Sequence, residues 1–180
     1  MGIRRNQIRE IVEGLLTKHR VKSGAVPVEK IARSLGATIT LDDVDDDLSG
    51  FLYREKGARK IIIGVNKSHH PNRQRFTIAH EIGHLVLHKG EMVHLDSGRA
   101  AFMIDLRDSE SSKGEDNDER EANLFAAELL MPAKFLREDL KSIDLDLLSD
   151  SRVLDDLATK YKVSVQALTF RLANLGHINV

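Results

Sequence analysis

Two histidines and a glutamate stand at a spacing that suits metal-dependent hydrolysis. The pattern HExxH is present at His80-Glu81-Ile82-Gly83-His84. On an α-helix, residues four apart lie about 40° apart around the axis and about 6 Å apart along it, so both imidazoles point the same way. Glu81 directly follows the first histidine and can reach a water molecule held by the metal. The pattern therefore predicts a zinc site with His80 and His84 as ligands and Glu81 as general base.

The composition limits the chemistry of a third ligand. The chain of 180 residues has no cysteine and eight histidines, which leaves imidazole and carboxylate groups as ligands. A catalytic zinc takes three protein ligands and keeps one position open. His94 is one candidate, and Glu119 and Glu121 in a later apolar segment are two others. Asn123 shares a helix face with Glu119 and can accept a hydrogen bond from a ligating imidazole. Helical periodicity alone leaves the two glutamates nearly equal.

His88 extends the row of histidines, but we do not expect it to bind the same ion. On a straight helix it lies about 12 Å along the axis from His80, too far for one ion to contact both. We therefore expect His88 to line the cleft or to have a structural role. Gly83 costs the helix about 1 kcal/mol relative to alanine, which is tolerable where backbone or substrate must come close.

The elements that carry these residues form an α+β pattern. Apolar spacing and capping signals predict helices at 6–19, 27–36, 71–90, 118–130, 133–140, 153–161 and 165–175. Strands are predicted at 37–41, 49–53, 60–65 and 102–106, with 91–101 irregular and 109–118 a polar loop. Because strands and helices are largely segregated, we expect a small antiparallel or mixed sheet packed on the HExxH helix.

Charge and hydropathy exclude some classes of function. Lys and Arg total 27 and Asp and Glu total 28, so the chain lacks the basic surface typical of nucleic-acid or membrane binding. No apolar run approaches the roughly 18 residues that span a bilayer. The segment after the basic N-terminus is amphipathic and unlike a signal peptide. We therefore expect a soluble, cytoplasmic protein without a membrane partner.

Two segments together resemble the ImmA/IrrE family of bacterial and phage metallopeptidases. They are residues 75–88, RFTIAHEIGHLVLH, and residues 119–132, EREANLFAAELLMP. The pair is much more specific than HExxH alone. The resemblance extends from the N-terminal helices through residues 157–175, and so covers most of the chain.

The resemblance implies a complete metal site. In that family the histidines of the first motif, and a glutamate four residues before the asparagine of the second, bind zinc. On this chain they correspond to His80, His84 and Glu119, holding one zinc ion per chain, which favours Glu119 over Glu121. The catalytic glutamate of the family corresponds to Glu81. The implied architecture is a zincin-like domain over residues 1–140, which includes the N-terminal helices.

The resemblance also implies a function. The usual substrates of the family are helix-turn-helix repressors of mobile elements or stress genes, and cleavage relieves repression. We therefore expect a gluzincin-like zinc endopeptidase that acts on an Xre-like helix-turn-helix repressor. The alternative is a regulator that acts mainly by binding DNA or the repressor, as a toxin–antitoxin or stress-sensor component.

Residues 150–180 resemble a helix-turn-helix element packed on the main domain. Ser164 is suited to cap the second of its two helices. Asp155 and Asp156 offset the basic residues of this stretch, so its surface is not strongly basic. We therefore expect these helices to pack on the domain or contact a protein partner more readily than DNA.

Two further expectations concern the substrate. In zinc peptidases of this general kind, an edge strand beside the metal helix pairs with extended substrate, and residues 51–53 or 102–104 could serve, although core strands would look the same. The polar loop at 109–118 could gate the site. The candidates to stabilise the oxyanion are polar side chains near these elements: Tyr53, His88, His94 and Arg107.

Overall fold

Seven α-helices and one four-stranded sheet make up the parts of the chain described in a computed structural model. These parts are residues 4–43, 48–55, 60–88, 92–96, 115–141, 143 and 151–178. The α+β class expected from the sequence is confirmed. The elements in chain order are α1 (Arg5–Lys18), α2 (Val28–Ser34), β1 (Ala37–Asp42), β2 (Gly50–Arg54), β3 (Ile61–Asn66), α3 (Pro71–Leu87), β4 (Met92–Asp96), α4 (Glu115–Leu130), α5 (Ala133–Leu140), α6 (Ser151–Tyr161) and α7 (Val165–Asn174).

The sheet is mixed, with the strand order β1-β3-β2-β4. β1 and β3 are parallel, with Ala37 opposite Ile61. β2 is antiparallel to β3 and to β4, so the hairpin predicted at 49–65 is confirmed. The predicted strand at 102–106, Arg107 and residues 109–114 of the predicted loop lie outside the described residues.

One strand was not expected. Residues 92–96, predicted to be irregular, form β4 against the open side of β2. The segment lacks a clear alternation of apolar and polar residues, since His94 and Asp96 are mixed with Met92 and Leu95. Its extended conformation therefore depends on pairing with β2 and could not be predicted from periodicity. Residues 51–53 are consequently internal, and the expectation that they form an edge strand for substrate was wrong. Within the described sheet, β4 is the edge beside β2.

The HExxH sequence lies on α3, whose ends are set by identifiable contacts. Pro71 occupies its first turn, and the His70 side chain accepts a hydrogen bond from Asn72 N at 3.2 Å. The helix ends at Leu87, before the predicted Gly90, because His88 adopts an extended backbone with φ −112° and ψ 119°. At the other boundary of the site, α4 begins at Glu115, so residues 115–118 of the predicted loop are helical.

The last turn of α3 is held by a buried arginine of β2. Arg54 Nη1 donates to Leu85 O at 3.0 Å, and Nη2 donates to His88 O at 2.6 Å. These carbonyls belong to the end of the helix, where no further helical N–H groups are available to bond them. The sheet therefore fixes the point at which the histidine-bearing helix stops.

Close packing places α3 between the sheet and α4. Gly50 lies under α3, and a Cβ atom there would stand 2.4 Å from Thr77 Cγ2. On the opposite side, a Cβ at Gly83 would stand 3.0 Å from Ala122 Cα and 3.2 Å from Ala122 O. Glycine at these two positions therefore allows the sheet and α4 to approach the same helix from two sides.

Within the described residues, hydrogen bonds and an ion pair join the C-terminal helices to the rest of the chain. Asn72 Nδ2 donates to Val163 O at 2.9 Å, and Tyr161 Oη donates to Asp139 Oδ2 at 2.7 Å. Arg171 forms a buried ion pair with Glu128 of α4. The division into residues 1–140 and 150–180 stays a prediction.

Two local features of the described chain bear on earlier expectations. Ser164 Oγ accepts a hydrogen bond from Ala167 N at 3.1 Å, so the predicted cap of α7 is present. None of the helices within the described ranges is both long and apolar enough to cross a bilayer.

The Gly83 contact can be tested by substitution. We expect Gly83→Ala to lower the free energy of unfolding by about 1–2 kcal/mol. Overpacking against the backbone of α4 outweighs the roughly 1 kcal/mol that alanine gains in a helix. The measurement is denaturant unfolding.

Gly14→Ala is the matched control, because Gly14 is exposed in α1 and nothing lies within 4 Å of an added Cβ. That variant should gain up to about 1 kcal/mol. An equal gain in both variants would show that α3 and α4 are not in close contact at Gly83.

Candidate metal centre

The two histidines of HExxH face each other at the interface of α3 and α4. His80 Nε2 and His84 Nε2 are 3.0 Å apart, and both residues are 2% exposed. Glu119 of α4 reaches both rings, with Oε2 3.4 Å from His80 Nε2 and Oε1 3.1 Å from His84 Nε2. Its side chain is 32% exposed, so the group is open to solvent on the glutamate side. Three potential ligand atoms therefore converge on one point.

β4 brings a fourth side chain to the same point. His94 Nε2 lies 3.4 Å from Glu119 Oε1, and the rings of His94 and His84 have centroids 3.9 Å apart. The potential ligand atoms of His80, His84, His94 and Glu119 all lie within 4.8 Å of one another. We call these four residues the metal cluster. His94 thus remains a candidate ligand on distance.

Strand pairing explains why His94, and not Tyr53, is at the cluster. His94 is opposite Leu52, which is fully buried under α3, so both side chains lie on the helix-facing side of the sheet. Tyr53 is opposite Val93, which is 70% exposed. The oxyanion role considered for Tyr53 is therefore not supported, because its side chain lies on the other face.

Asn123 fixes the orientation of His80. Its Oδ1 is 3.0 Å from His80 Nδ1, which is the contact anticipated from the helical spacing of Glu119 and Asn123. An amide oxygen only accepts hydrogen bonds, so His80 carries its proton on Nδ1 and directs the lone pair of Nε2 into the cluster.

The protonation states suit a cation. Burial lowers the pKa of His84 from 6.5 to about 4, so this ring is neutral at pH 7. Burial raises the pKa of the Glu119 carboxyl, but the adjacent His80 and His84 rings outweigh burial and hold that pKa well below its usual range. Neutral imidazoles and a carboxylate are the protonation states that metal binding requires. Nitrogen and oxygen donors of this kind fit zinc.

Glu81 is fully buried on α3, next to His80 in the chain. A carboxyl group at this depth is rare in protein interiors unless it is paired or functional. Its role as general base, which follows from its place in HExxH, stays a prediction.

The alternative glutamate points elsewhere. Glu121 accepts hydrogen bonds from Arg4 N at 3.1 Å and from Arg4 Nε at 3.0 Å. Its Oε2 is 3.5 Å from His88 Nε2, and Asp118 Oδ1 is 3.4 Å from the same nitrogen. His88, Asp118 and Glu121 thus form a second group beside the metal cluster. Sequence reasoning missed Arg4 and Arg54, because neither belongs to a motif and their partners are distant in the chain.

Comparison with known proteins identifies the family. The model of the IrrE N-terminal-like domain, a peptidase family, matches residues 32–173. The chain therefore belongs to this family, and the membership expected from the two motifs is confirmed.

Two relatives are radiation response metalloproteases named IrrE. The protein from Deinococcus radiodurans is 32% identical over 112 residues, and that from Deinococcus deserti is 34% identical over 113 residues. Each match covers 62% of this chain but only 30% and 36% of the respective relatives. The matched region thus covers about a third of each of those proteins.

A solved structure shares the fold. A Mycobacterium tuberculosis transcriptional regulator superimposes with a TM-score of 0.62 at 18% identity, over 93% of this chain and 46% of the regulator.

The contact between Asn123 and His80 gives a test of the cluster. We expect Asn123→Ala to weaken zinc binding by about 10–100-fold, because the ring loses the acceptor that orients it. Asn123→Asp keeps an acceptor and should bind zinc nearly as well as the unaltered chain. Competition with a chromogenic chelator measures both affinities. Equal affinity in the alanine variant would mean that this hydrogen bond does not orient a metal ligand.

Proposed function

We propose that this chain is a zinc-dependent endopeptidase in which His80, His84 and Glu119 hold one zinc ion and Glu81 is the general base. The observation that carries the proposal is the meeting of two inward-facing Nε2 atoms, 3.0 Å apart, with the Glu119 carboxylate. Membership of a family whose named relatives are metalloproteases supports it.

The division of labour follows from the chemistry of each group. A zinc ion at this point supplies Lewis acidity, which acidifies a water molecule and polarises a peptide carbonyl. Glu81 accepts the proton of the attacking water and returns it to the leaving amine. Asn123 keeps His80 in the ligating tautomer. The burial of both histidines limits competing access of bulk water.

His94 has two candidate roles. Its position on β4, 3.4 Å from Glu119 Oε1, suits a fourth ligand and equally suits a hydrogen-bond donor to the oxyanion. We favour the donor role, because a catalytic zinc keeps one position open for water or substrate. The strand that carries it is also where a substrate can bind.

β4 is suited to hold an extended peptide. It is an edge of the described sheet, and one side of it therefore offers backbone groups for strand addition. A peptide added there runs past His94 and the metal cluster. In this proposal β4 takes the place of residues 51–53 as the strand that pairs with substrate, whereas the expectation for residues 102–104 stays a prediction.

The substrate class is proposed from the family resemblance. We propose a helix-turn-helix repressor of a mobile element, phage or stress gene as the protein substrate, cleaved in the cytoplasm, where such repressors bind DNA. The absence of cysteine agrees with a reducing compartment. The alternative is a regulator that binds DNA or the repressor without cleaving it. The exposed side chains of α6 include Asp155 and Asp156, which favours a protein partner over DNA.

Glu81→Gln separates catalysis from binding. We expect this variant to retain zinc, because the proposed ligands are unchanged. Its rate of cleavage should fall by about 10²–10⁴-fold, because the general base is removed. His80→Ala and Glu119→Ala should each lose zinc and activity together. Metal content is measured by elemental analysis, and cleavage by incubation with the repressor encoded nearby and mass spectrometry of the fragments.

Two results would contradict the proposal. Cleavage by metal-free protein would exclude the zinc mechanism. Full relief of repression by Glu81→Gln would show that the protein acts by binding.

His94→Ala distinguishes the two roles of His94. If His94 is an oxyanion donor, zinc affinity is retained and kcat falls by about 10²–10³-fold with a smaller change in KM. Loss of zinc from this variant, with retention in Glu119→Ala, would instead make His94 the third ligand.

A further inference from the structure

The nitrogen of His84 that faces away from the metal cluster contacts a second imidazole. His84 Nδ1 and His88 Nδ1 are 3.1 Å apart, and His88 is buried. A histidine that binds a metal through Nε2 carries its proton on Nδ1 and needs an acceptor for that proton. For His80 the acceptor is an amide oxygen. For His84 it is the ring of His88.

This contact determines the tautomers of both rings. With Nε2 of His84 bound to the proposed zinc ion, the proton of His84 is on Nδ1, so Nδ1 donates and His88 Nδ1 accepts with its lone pair. In that arrangement the ring proton of His88 is on Nε2.

Carboxylates face the protonated nitrogen of His88. Glu121 Oε2 and Asp118 Oδ1 lie 3.5 and 3.4 Å from His88 Nε2. Arg4 bonds Glu121 through its backbone N–H and its guanidinium, so a cationic side chain holds this carboxylate in place. The side chain of Asp118 is half exposed, whereas Glu121 is buried, so Glu121 is the better fixed of the two carboxylates near His88.

We propose that His88, Glu121 and Arg4 position His84 for metal binding through a continuous series of polar contacts, which we call the His88 relay. The inference rests on the zinc site proposed above. It makes His88 a positioning residue, two contacts away from the N-terminal Arg4, and gives a role to a histidine that the catalytic mechanism does not use.

The backbone supports the same arrangement. Arg54 bonds the carbonyl oxygen of His88 at 2.6 Å, at the residue where the chain leaves α3. His88 is thus held at its backbone by β2 and contacts His84 through Nδ1, while the carboxylates lie 3.4–3.5 Å from its Nε2. A histidine placed in this way is suited to orient another ring.

A second metal ion is the competing explanation for this group. Potential ligand atoms of His88, Asp118 and Glu121 lie within 4.8 Å of one another. The guanidinium of Arg4, however, bonds both oxygens of Glu121 and places a positive charge beside the position that a cation would occupy. This charge agrees with a carboxylate that accepts from a neutral imidazole.

The first test changes the acceptor of His84. His88→Leu removes it and should weaken zinc binding by about 10–100-fold. His88→Asn supplies an amide oxygen close to the position of Nδ1 and should recover most of the affinity. Chelator competition gives the affinities, and the His84 Nδ1–H signal in ¹⁵N-edited NMR of the zinc-loaded full chain should be lost in the leucine variant.

The second test uses a matched pair on α4 and stays informative if the leucine variant fails to fold. Glu121 and Glu128 are 5% and 6% exposed and each pairs with an arginine, Arg4 and Arg171 respectively. Glu121→Gln and Glu128→Gln should both lose stability through a weakened buried ion pair. Only Glu121→Gln should also weaken zinc binding, by about tenfold.

The outcomes separate this inference from the proposed function. If the unaltered chain binds no zinc, or His80→Ala keeps it, the proposed metal site is wrong. If the unaltered chain binds zinc but His88→Leu binds it equally well, or the two glutamine variants lose equal affinity, the relay is wrong. Two metal ions per chain, one lost in His88→Leu, would also overturn the relay in favour of a second metal.

Discussion

The metal cluster depends on how closely α4 approaches α3. Ligand atoms on two helices can meet only if the helix backbones are near each other, and Gly83 removes the side chain that would separate them. Because Ala122 lies against Gly83, two of its neighbours on α4 are brought to the histidines: Glu119, three residues earlier, reaches His84, and Asn123, the next residue, reaches His80. The same approach places Glu121 beside His88. Helix packing thus gives Glu119, Glu121 and Asn123 their partners on α3.

The surroundings of the metal cluster set the protonation states and ring orientations that suit a metal ion. Burial keeps His84 neutral, whereas the adjacent histidine rings keep Glu119 ionised, so protons compete little for these donor atoms at neutral pH. His80 and His84 also have an outer contact each, to Asn123 and to His88 respectively, that orients the ring. Rings held in this way lose little conformational freedom when an ion binds.

The local sequence pattern predicted the helices and strands that have strong apolar periodicity. It also predicted the site residues that lie within a single motif. The helix carrying His80, Glu81 and His84 follows from spacing, and so does the shared face of Glu119 and Asn123. β4 did not follow, because pairing with β2 determines its conformation. The choice between Glu119 and Glu121 also depends on a partner far away in the chain, since Arg4 lies at the N-terminal end. Spacing along one helix contains no information about such a partner. The preference for Glu119 came from the family resemblance.

The position of His94 on an edge strand has a consequence for how a bound peptide would be read. Along a strand, alternate side chains point to opposite faces, so a peptide in the proposed pairing with β4 turns only every second side chain towards the helix face. If the peptide shifts its pairing register by one residue, the side chains that faced the helix turn to the opposite face. Alignments between these two registers do not form the backbone hydrogen bonds. Selection of a scissile bond would then depend on the alternate peptide side chains that face α3. A single bulky side chain two positions away from the bond lies on the same face, so it could prevent a substrate from binding.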